Sequence, residues 1–174
     1  INNITTALWL LAWVNEKLLL SVILILIQLI SLILISIRAH ISNPYRSLIT
    51  KIFTHFPLSI YFGWISIATI ANISAYLKSV HWDGMGISDN YWTIIMIGFA
   101  TLITVFIIVV RRNFIFGLVV LWALYGIILK RNQLGTVSFE SVINAAWAAF
   151  AVIVIALVIR LVKQSKPDDT LAST

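Results

Sequence analysis

The hydrophobic pattern of the chain consists of long apolar runs separated by short polar segments. Three of the runs contain no charged residue: Leu18 to Ile37, Phe56 to Leu77 and Asn90 to Val110. Each has roughly the 20 residues that a helix needs to cross a hydrocarbon core of about 30 Å. Two further charge-free runs, 113–129 and 141–159, are slightly shorter. The runs are continuous and do not alternate with a period of two, which excludes a transmembrane β-barrel. The pattern predicts an all-α, polytopic transmembrane helix bundle with five full spans.

The start of the chain predicts an additional, partial span. Ile4 to Val14 is apolar but too short to cross a bilayer, and neither a basic segment nor a small-residue cleavage site marks it as a signal peptide. We expect a helix whose first part precedes residue 1; the alternative is a short interfacial helix anchored by Trp9 and Trp13. Residues 1–166 then form a single transmembrane domain, followed by a polar tail at 167–174. The predicted spans are approximately 3–15 (partial), 18–38, 56–78, 90–110, 113–130 and 139–163.

Composition narrows the classes of function. The chain is 61% hydrophobic and 10% charged, whereas about a quarter of the residues of a soluble domain are charged. It has no cysteine, and its three histidines lack metal-site spacing. The five charge-free apolar runs hold no Asp or Glu, which argues against a proton-coupled pump. Neither paired carboxylates, nor a Ser–His–Asp set, nor a phosphate-binding loop is present. We therefore expect a protein that is not an enzyme and has no metal site.

The basic residues indicate an orientation in the membrane. With the spans alternating in direction, one set of loops holds eight Lys and Arg residues and the other holds four, together with most of the acids. Loops that are rich in Lys and Arg face the cytoplasm, so the C-terminus is predicted to be cytoplasmic. The net charge of +6 is then a topology signal and does not indicate a nucleic-acid partner.

The span 56–78 carries polar and aromatic residues. Leucine or isoleucine at these positions would insert into lipid more easily, so these residues need another explanation. On a helix, Tyr61, Trp64, Ala68 and Asn72 fall within one stripe about 100° wide, and the other faces are aliphatic. Two interpretations remain open. The stripe either holds neighbouring helices together, because an amide in an apolar medium needs a hydrogen-bond partner, or lines a cavity that binds a flat apolar ligand.

Polar and aromatic residues of other spans have simpler interpretations. We interpret Gln28, the only strongly polar side chain of its span, as an interhelical hydrogen bonder; the alternative is a ligand contact. Trp122 and Tyr125 lie midway in their span and are interpreted as core packing; the alternative is that they line a cavity. Trp82, Tyr91 and Trp92 lie at a membrane edge and are interpreted as interfacial anchors.

The stripe on 56–78 resembles the last-helix motif of the tryptophan-rich sensory protein (TspO, or translocator protein) family. That motif reads roughly P-Y-x-x-W-x-x-x-A-x-x-x-N, and Tyr61, Trp64, Ala68 and Asn72 match it in spacing. The family's proline is replaced by Ile60. The segment TTALWLLAW and the helix after it resemble the family's third and fourth helices, with Thr6 in place of an Asn. A longer, divergent bacterial branch matches over most of the chain, at Pro57 to Asn72, Trp82 to Gly84, Arg111 with Arg112, and Trp122 to Leu124.

The resemblance implies a function and a location. Two helices and a Trp- and Pro-rich loop would precede residue 1. The protein would lie in the bacterial inner membrane and bind a hydrophobic small molecule, such as a porphyrin or haem, as a sensor or carrier. Tyr61, Trp64, Ala68 and Asn72 would be the ligand-binding residues. Independently of the resemblance, the position of His81 beside Trp82 would let it reach a tetrapyrrole iron. The alternative is a non-catalytic accessory or structural subunit of a larger membrane complex, or a homodimer, which the three helices after residue 90 would suit.

Overall fold

The computed structural model describes residues 2–41, 46–133 and 139–165, and in these ranges the chain is helical throughout apart from short connections. The helices are α1 (Asn2–Val14), α2 (Leu18–Arg38), α3 (Leu48–Thr50), a π-helical turn (Lys51–His55), α4 (Phe56–Ser79), a 3₁₀ turn (Gly84–Gly86), α5 (Asp89–Arg111), α6 (Phe114–Gln133) and α7 (Glu140–Ser165).

Five helical segments of the described residues are long and apolar enough to cross a membrane: α2, the continuous helix Leu48–Ser79, α5, α6 and α7. This confirms the predicted all-α transmembrane bundle. Helix α1 has 13 residues and buries only Ala12. The predicted polar tail at 167–174 lies outside the described residues.

The bundle has an N-terminal unit of α1, α2 and α4 and a C-terminal unit of α5, α6 and α7. In the first unit, α2 packs on both α1 and α4, and it buries Ser21, Ile25, Gln28 and Leu32. This spacing of four, three and four residues keeps one stripe of α2 against its neighbours. In the second unit, α7 packs on both α5 and α6. Each unit has its own apolar core.

The two units meet where α4 packs against α6. Gly63 of α4 lies so close to α6 that an added Cβ would be 3.0 Å from the Cβ of Val119. Next to Gly63, the ring of Phe62 packs on the ring of Phe116, with the centroids 5.0 Å apart; Phe116 lies about one turn of α6 before Val119. A glycine allows two helix backbones to approach closely, as in other membrane helix pairs.

The start of α4 is shaped by Pro57. A proline has no N–H, so the carbonyl of Phe53 cannot receive the usual helical hydrogen bond. The helix widens into a π turn at this point, and the Phe56 N–H donates instead to the carbonyl of Lys51, five residues earlier. The side chain of His55, in the same turn, is buried.

A tight hairpin joins α5 to α6. Arg112 ends α5 in the left-handed conformation, with φ of 53°. The buried Asn113 then caps α6, because its Oδ1 accepts a hydrogen bond from the Phe116 N–H at 3.2 Å. A short polar side chain in this position satisfies one of the unpaired N–H groups of the first helical turn.

Candidate functional site

The structure divides the predicted stripe of α4 between two faces. Asn72 is 1% exposed and Tyr61 is half-buried, and both contact the helices of the N-terminal unit. Trp64 is 45% exposed and contacts α6. Trp64 and Tyr61 differ by about 60° around the helix axis, and α4 has neighbours on two sides. The same stripe therefore faces two interfaces.

Tyr61 connects three helices through hydrogen bonds. Its hydroxyl donates to Oδ1 of Asn2 at 2.9 Å and lies 2.7 Å from the hydroxyl of Thr6, both on α1. Asn2 in turn donates from Nδ2 to the hydroxyl of Ser31 on α2 at 2.8 Å. This polar cluster, which connects α1, α2 and α4, consists of Tyr61, Asn2, Thr6 and Ser31.

Asn72 makes a second connection between α2 and α4. The hydroxyl of Ser21 lies 2.9 Å from Oδ1 of Asn72 and donates to it, and both side chains are buried. The cluster of Tyr61 and the Ser21–Asn72 pair are separated by 11 residues of α4, which is roughly 16 Å along a helix.

An apolar surface lies between these two polar connections. Its buried residues are Ile25 and Leu32 of α2 and Ile65 of α4. Ala68 of α4 and Trp9 of α1 pack against it. We call this region, bounded by Tyr61 at one end and Asn72 at the other, the inner interface. Three of the four predicted site residues, Tyr61, Ala68 and Asn72, line it.

Several buried polar atoms of the inner interface have no hydrogen-bond partner in the part of the chain that the structure describes. They are both carboxamide atoms of Gln28, the indole Nε1 of Trp9 and Nδ2 of Asn72. The interpretation of Gln28 as an interhelical hydrogen bonder was wrong: the side chain is fully buried but unpaired. Residue type alone could not reveal this, because a lone glutamine in an apolar span looks the same whether or not a partner reaches it.

Trp64 belongs to a second, outer surface. Its ring packs against Trp122 of α6 with the centroids 5.4 Å apart. Trp122 is 62% exposed and Tyr125, on the same helix, is 47% exposed. The interpretation of Trp122 and Tyr125 as core packing was therefore wrong. Trp64, Trp122 and Tyr125 form an aromatic surface on the outside of the bundle, which we call the outer aromatic patch.

An open groove of about 1,100 Å³ lies where the α1–α2 turn meets the end of α4. It is lined by Trp13 and Lys17 beside the turn, by Leu20 and Ile23 of α2 and by Tyr76 of α4. None of the four predicted site residues lines this groove. His81 lies in the loop after α4, exposed and with φ of 54°.

These features define an integral membrane protein with a polar–apolar interface inside one of its helical units. A family model described as TSPO-like protein matches residues 1–159. The chain belongs to this family, in agreement with the resemblance of the α4 motif. Neither the curated proteins nor the solved structures include one that matches the chain.

Proposed function

We propose that the protein binds a flat apolar ligand, such as a porphyrin, between α1, α2 and α4 and acts as a sensor or carrier without catalysing a reaction. The observation that carries the proposal is the placement of Tyr61, Ala68 and Asn72 together on the inner interface. An apolar surface with a few well-placed polar groups is typical of sites for small hydrophobic molecules. Trp64, one residue from the buried Ile65, would bound the site on its outer side.

Porphyrin binding tests this proposal directly. The purified chain in lipid nanodiscs is titrated with protoporphyrin, and the fluorescence anisotropy of the porphyrin is recorded. We expect saturable binding. Ala68→Leu should weaken it, because the larger side chain would cover the apolar surface against which the ligand packs. Asn72→Leu should weaken porphyrin binding as well, because it removes the polar side chain at one end of the inner interface.

Trp64→Ala has a matched control in Trp147→Ala. Trp147 of α7 is 48% exposed and packs on Phe150, so its indole is exposed to a similar extent on the other helical unit. Loss of affinity on Trp64→Ala, with no change on Trp147→Ala, would place Trp64 in the site. Absence of saturable binding by the unaltered protein would reject the proposed function.

The outer aromatic patch supports a second candidate function, that of an accessory subunit or homodimer. Trp and Tyr side chains concentrate at the membrane–water interfaces, whereas Trp122 and Tyr125 lie in the middle of α6. Large exposed aromatic side chains at this depth suit contact with another membrane protein. Purification in mild detergent tests this candidate: a larger assembly of fixed stoichiometry that Trp122→Leu disrupts would support it.

We also propose that the protein lies in the bacterial inner membrane with its C-terminus in the cytoplasm. The eight-to-four distribution of basic residues between the two sets of loops supports this orientation. Fusions of a periplasm-specific and a cytoplasm-specific reporter enzyme to the C-terminus test it. Activity of the periplasmic reporter would contradict the proposed orientation and place the C-terminus in the periplasm.

A further inference from the structure

Besides Nδ2 of Asn72, two buried hydrogen-bonding groups of the inner interface, on α1 and α2, have no partner among the described residues. Gln28 of α2 has no exposed surface, and neither its Nε2 nor its Oε1 has a partner. The Nε1 of Trp9, on α1, is buried and also without a partner. A buried donor or acceptor without a partner destabilises the fold, and the cost is larger in a medium without water. Two such groups in one interface therefore need an explanation.

The hydrogen bonds of the interface locate Gln28. It lies seven residues after Ser21, which bonds to Asn72, and three residues before Ser31, which bonds to Asn2. Gln28 is thus roughly 10 Å along α2 from the first connection and about 5 Å from the second. Ser21, Ile25, Gln28 and Leu32 share the buried stripe of α2, so the carboxamide lies inside the inner interface.

Trp9 lies close to the same region. Its side chain packs against the cluster that contains Ile25, which is one turn of helix from Gln28. The Trp9 ring also stacks on Trp13 with the centroids 6.3 Å apart. The indole N–H is only a donor, whereas the carboxamide is both a donor and an acceptor. Together these two groups offer more donors than acceptors, which suits a ligand group rich in acceptors, such as a carboxyl group.

We propose that Gln28 and Trp9 bind the carboxyl group of a flat apolar ligand and so determine which ligands the inner interface accepts. This rests on the proposed function and adds the polar group that the ligand must carry. A carboxyl group accepts from the indole N–H and from the carboxamide NH₂, and in its protonated form it donates to the carboxamide oxygen. The apolar surface of Ile25, Leu32 and Ile65 then packs against the ring system of the ligand.

Helix α1 is the element that gives access to these groups. It buries only Ala12, whereas α2 and α4 bury four and five residues respectively. Few buried contacts mark the less stable elements of a fold. A ligand that enters between α1 and α2 would meet Gln28 on one side and Trp9 on the other, without separating α2 from α4.

Two porphyrins that differ in their carboxyl groups test the proposal. Mesoporphyrin carries two carboxyl groups, and octaethylporphyrin has the same ring system with alkyl groups only. Both are titrated into the full chain in nanodiscs, and binding is measured by the fluorescence of the porphyrin itself, so that changes in tryptophan content do not affect the signal. The unaltered protein should bind mesoporphyrin more tightly.

The variants remove each hydrogen-bonding group with little change of shape. Gln28→Met removes the carboxamide, and Trp9→Phe removes the indole N–H. Each should weaken mesoporphyrin binding by about fivefold to fifteenfold, as expected for one hydrogen bond, and should leave octaethylporphyrin binding unchanged. The matched controls are Ile30→Met, at an exposed position of α2, and Trp13→Phe, in the ring stacked on Trp9. Neither control should change the binding of either porphyrin.

The outcomes separate this proposal from the proposed function. If both porphyrins bind and their affinity ratio is the same in Gln28→Met, Trp9→Phe and the unaltered protein, the role of Gln28 and Trp9 is rejected and porphyrin binding stands. If the unaltered protein binds neither porphyrin, the proposed function fails, and this proposal fails with it. Thermal unfolding of each variant in detergent confirms that the loss of binding is not a loss of folding.

Discussion

The close approach of α4 and α6 at Gly63 predicts both the direction and the size of the stability change that Gly63→Ala causes. In Gly63→Ala the new Cβ would be 3.0 Å from Cβ and 3.1 Å from Cγ1 of Val119. Rotation of the Val119 side chain cannot relieve the first contact, because a Cβ atom moves only with the backbone. The two helices must therefore separate by a few tenths of an ångström, and the apolar contact between the two units weakens.

The magnitude follows from two opposing effects. Overpacking a close contact costs about 1–3 kcal/mol. Alanine in place of glycine in a helix contributes about 0.5–1 kcal/mol in the other direction. The overpacking effect is the larger, so Gly63→Ala should lower the free energy of unfolding by about 0.5–2 kcal/mol. Gly98 and Gly126 are the controls, because a Cβ at either position would have no atom within 4 Å. Their alanine variants should be neutral or slightly stabilised.

The assay is reversible unfolding in mixed micelles by titration with sodium dodecyl sulfate, followed by circular dichroism. Val119→Gly removes the opposing Cβ, so the double variant Gly63→Ala, Val119→Gly should show a favourable coupling energy in a double-mutant cycle. A Gly63→Ala protein as stable as Gly98→Ala, together with zero coupling to Val119, would show that this contact does not hold the two helical units together.

Three further predictions concern stability in the same unfolding assay. Asn113→Ala removes the cap of α6 and should cost about 0.5–2 kcal/mol, whereas alanine at the exposed helical Asn144 should cost less; equal losses would contradict the capping role. Gln28→Met should leave the protein as stable or more stable, because it removes an unpaired buried carboxamide; a clear loss of stability would instead indicate that Gln28 has a partner in the folded protein. Lys78→Gln breaks an exposed ion pair with Asp89 and should change the free energy of unfolding by less than about 1 kcal/mol, which a larger loss would contradict.

The number of membrane spans and the family of the chain could be predicted from its sequence. The apolar runs indicated five spans, because a helix in lipid must satisfy its own backbone hydrogen bonds and needs a fixed length of apolar residues to do so. The described residues contain five such helices. The spacing of Tyr61, Trp64, Ala68 and Asn72 indicated the family, and the family model that matches residues 1–159 confirms it.

The arrangement of the candidate site could not be predicted in the same way. Tyr61, Ala68 and Asn72 share the inner interface, but Trp64 packs with Trp122 on the outside of the bundle. A helical projection places all four residues on one stripe, and it does not show that α4 has α2 on one side and α6 on the other. The position of each neighbouring helix decides which part of the stripe is covered.

The order of residues along the chain determined which segments are helical and which cross the membrane, because both properties depend on local hydrogen bonding and on the length of apolar runs. Only the tertiary structure decided which apolar or aromatic side chains are buried. Lipid and protein interior are similarly apolar, so hydrophobicity does not distinguish Trp122, which is exposed, from Phe116, which is buried. What distinguishes them is close helix packing, such as that at Gly63, and the hydrogen bonds that connect one helix to the next.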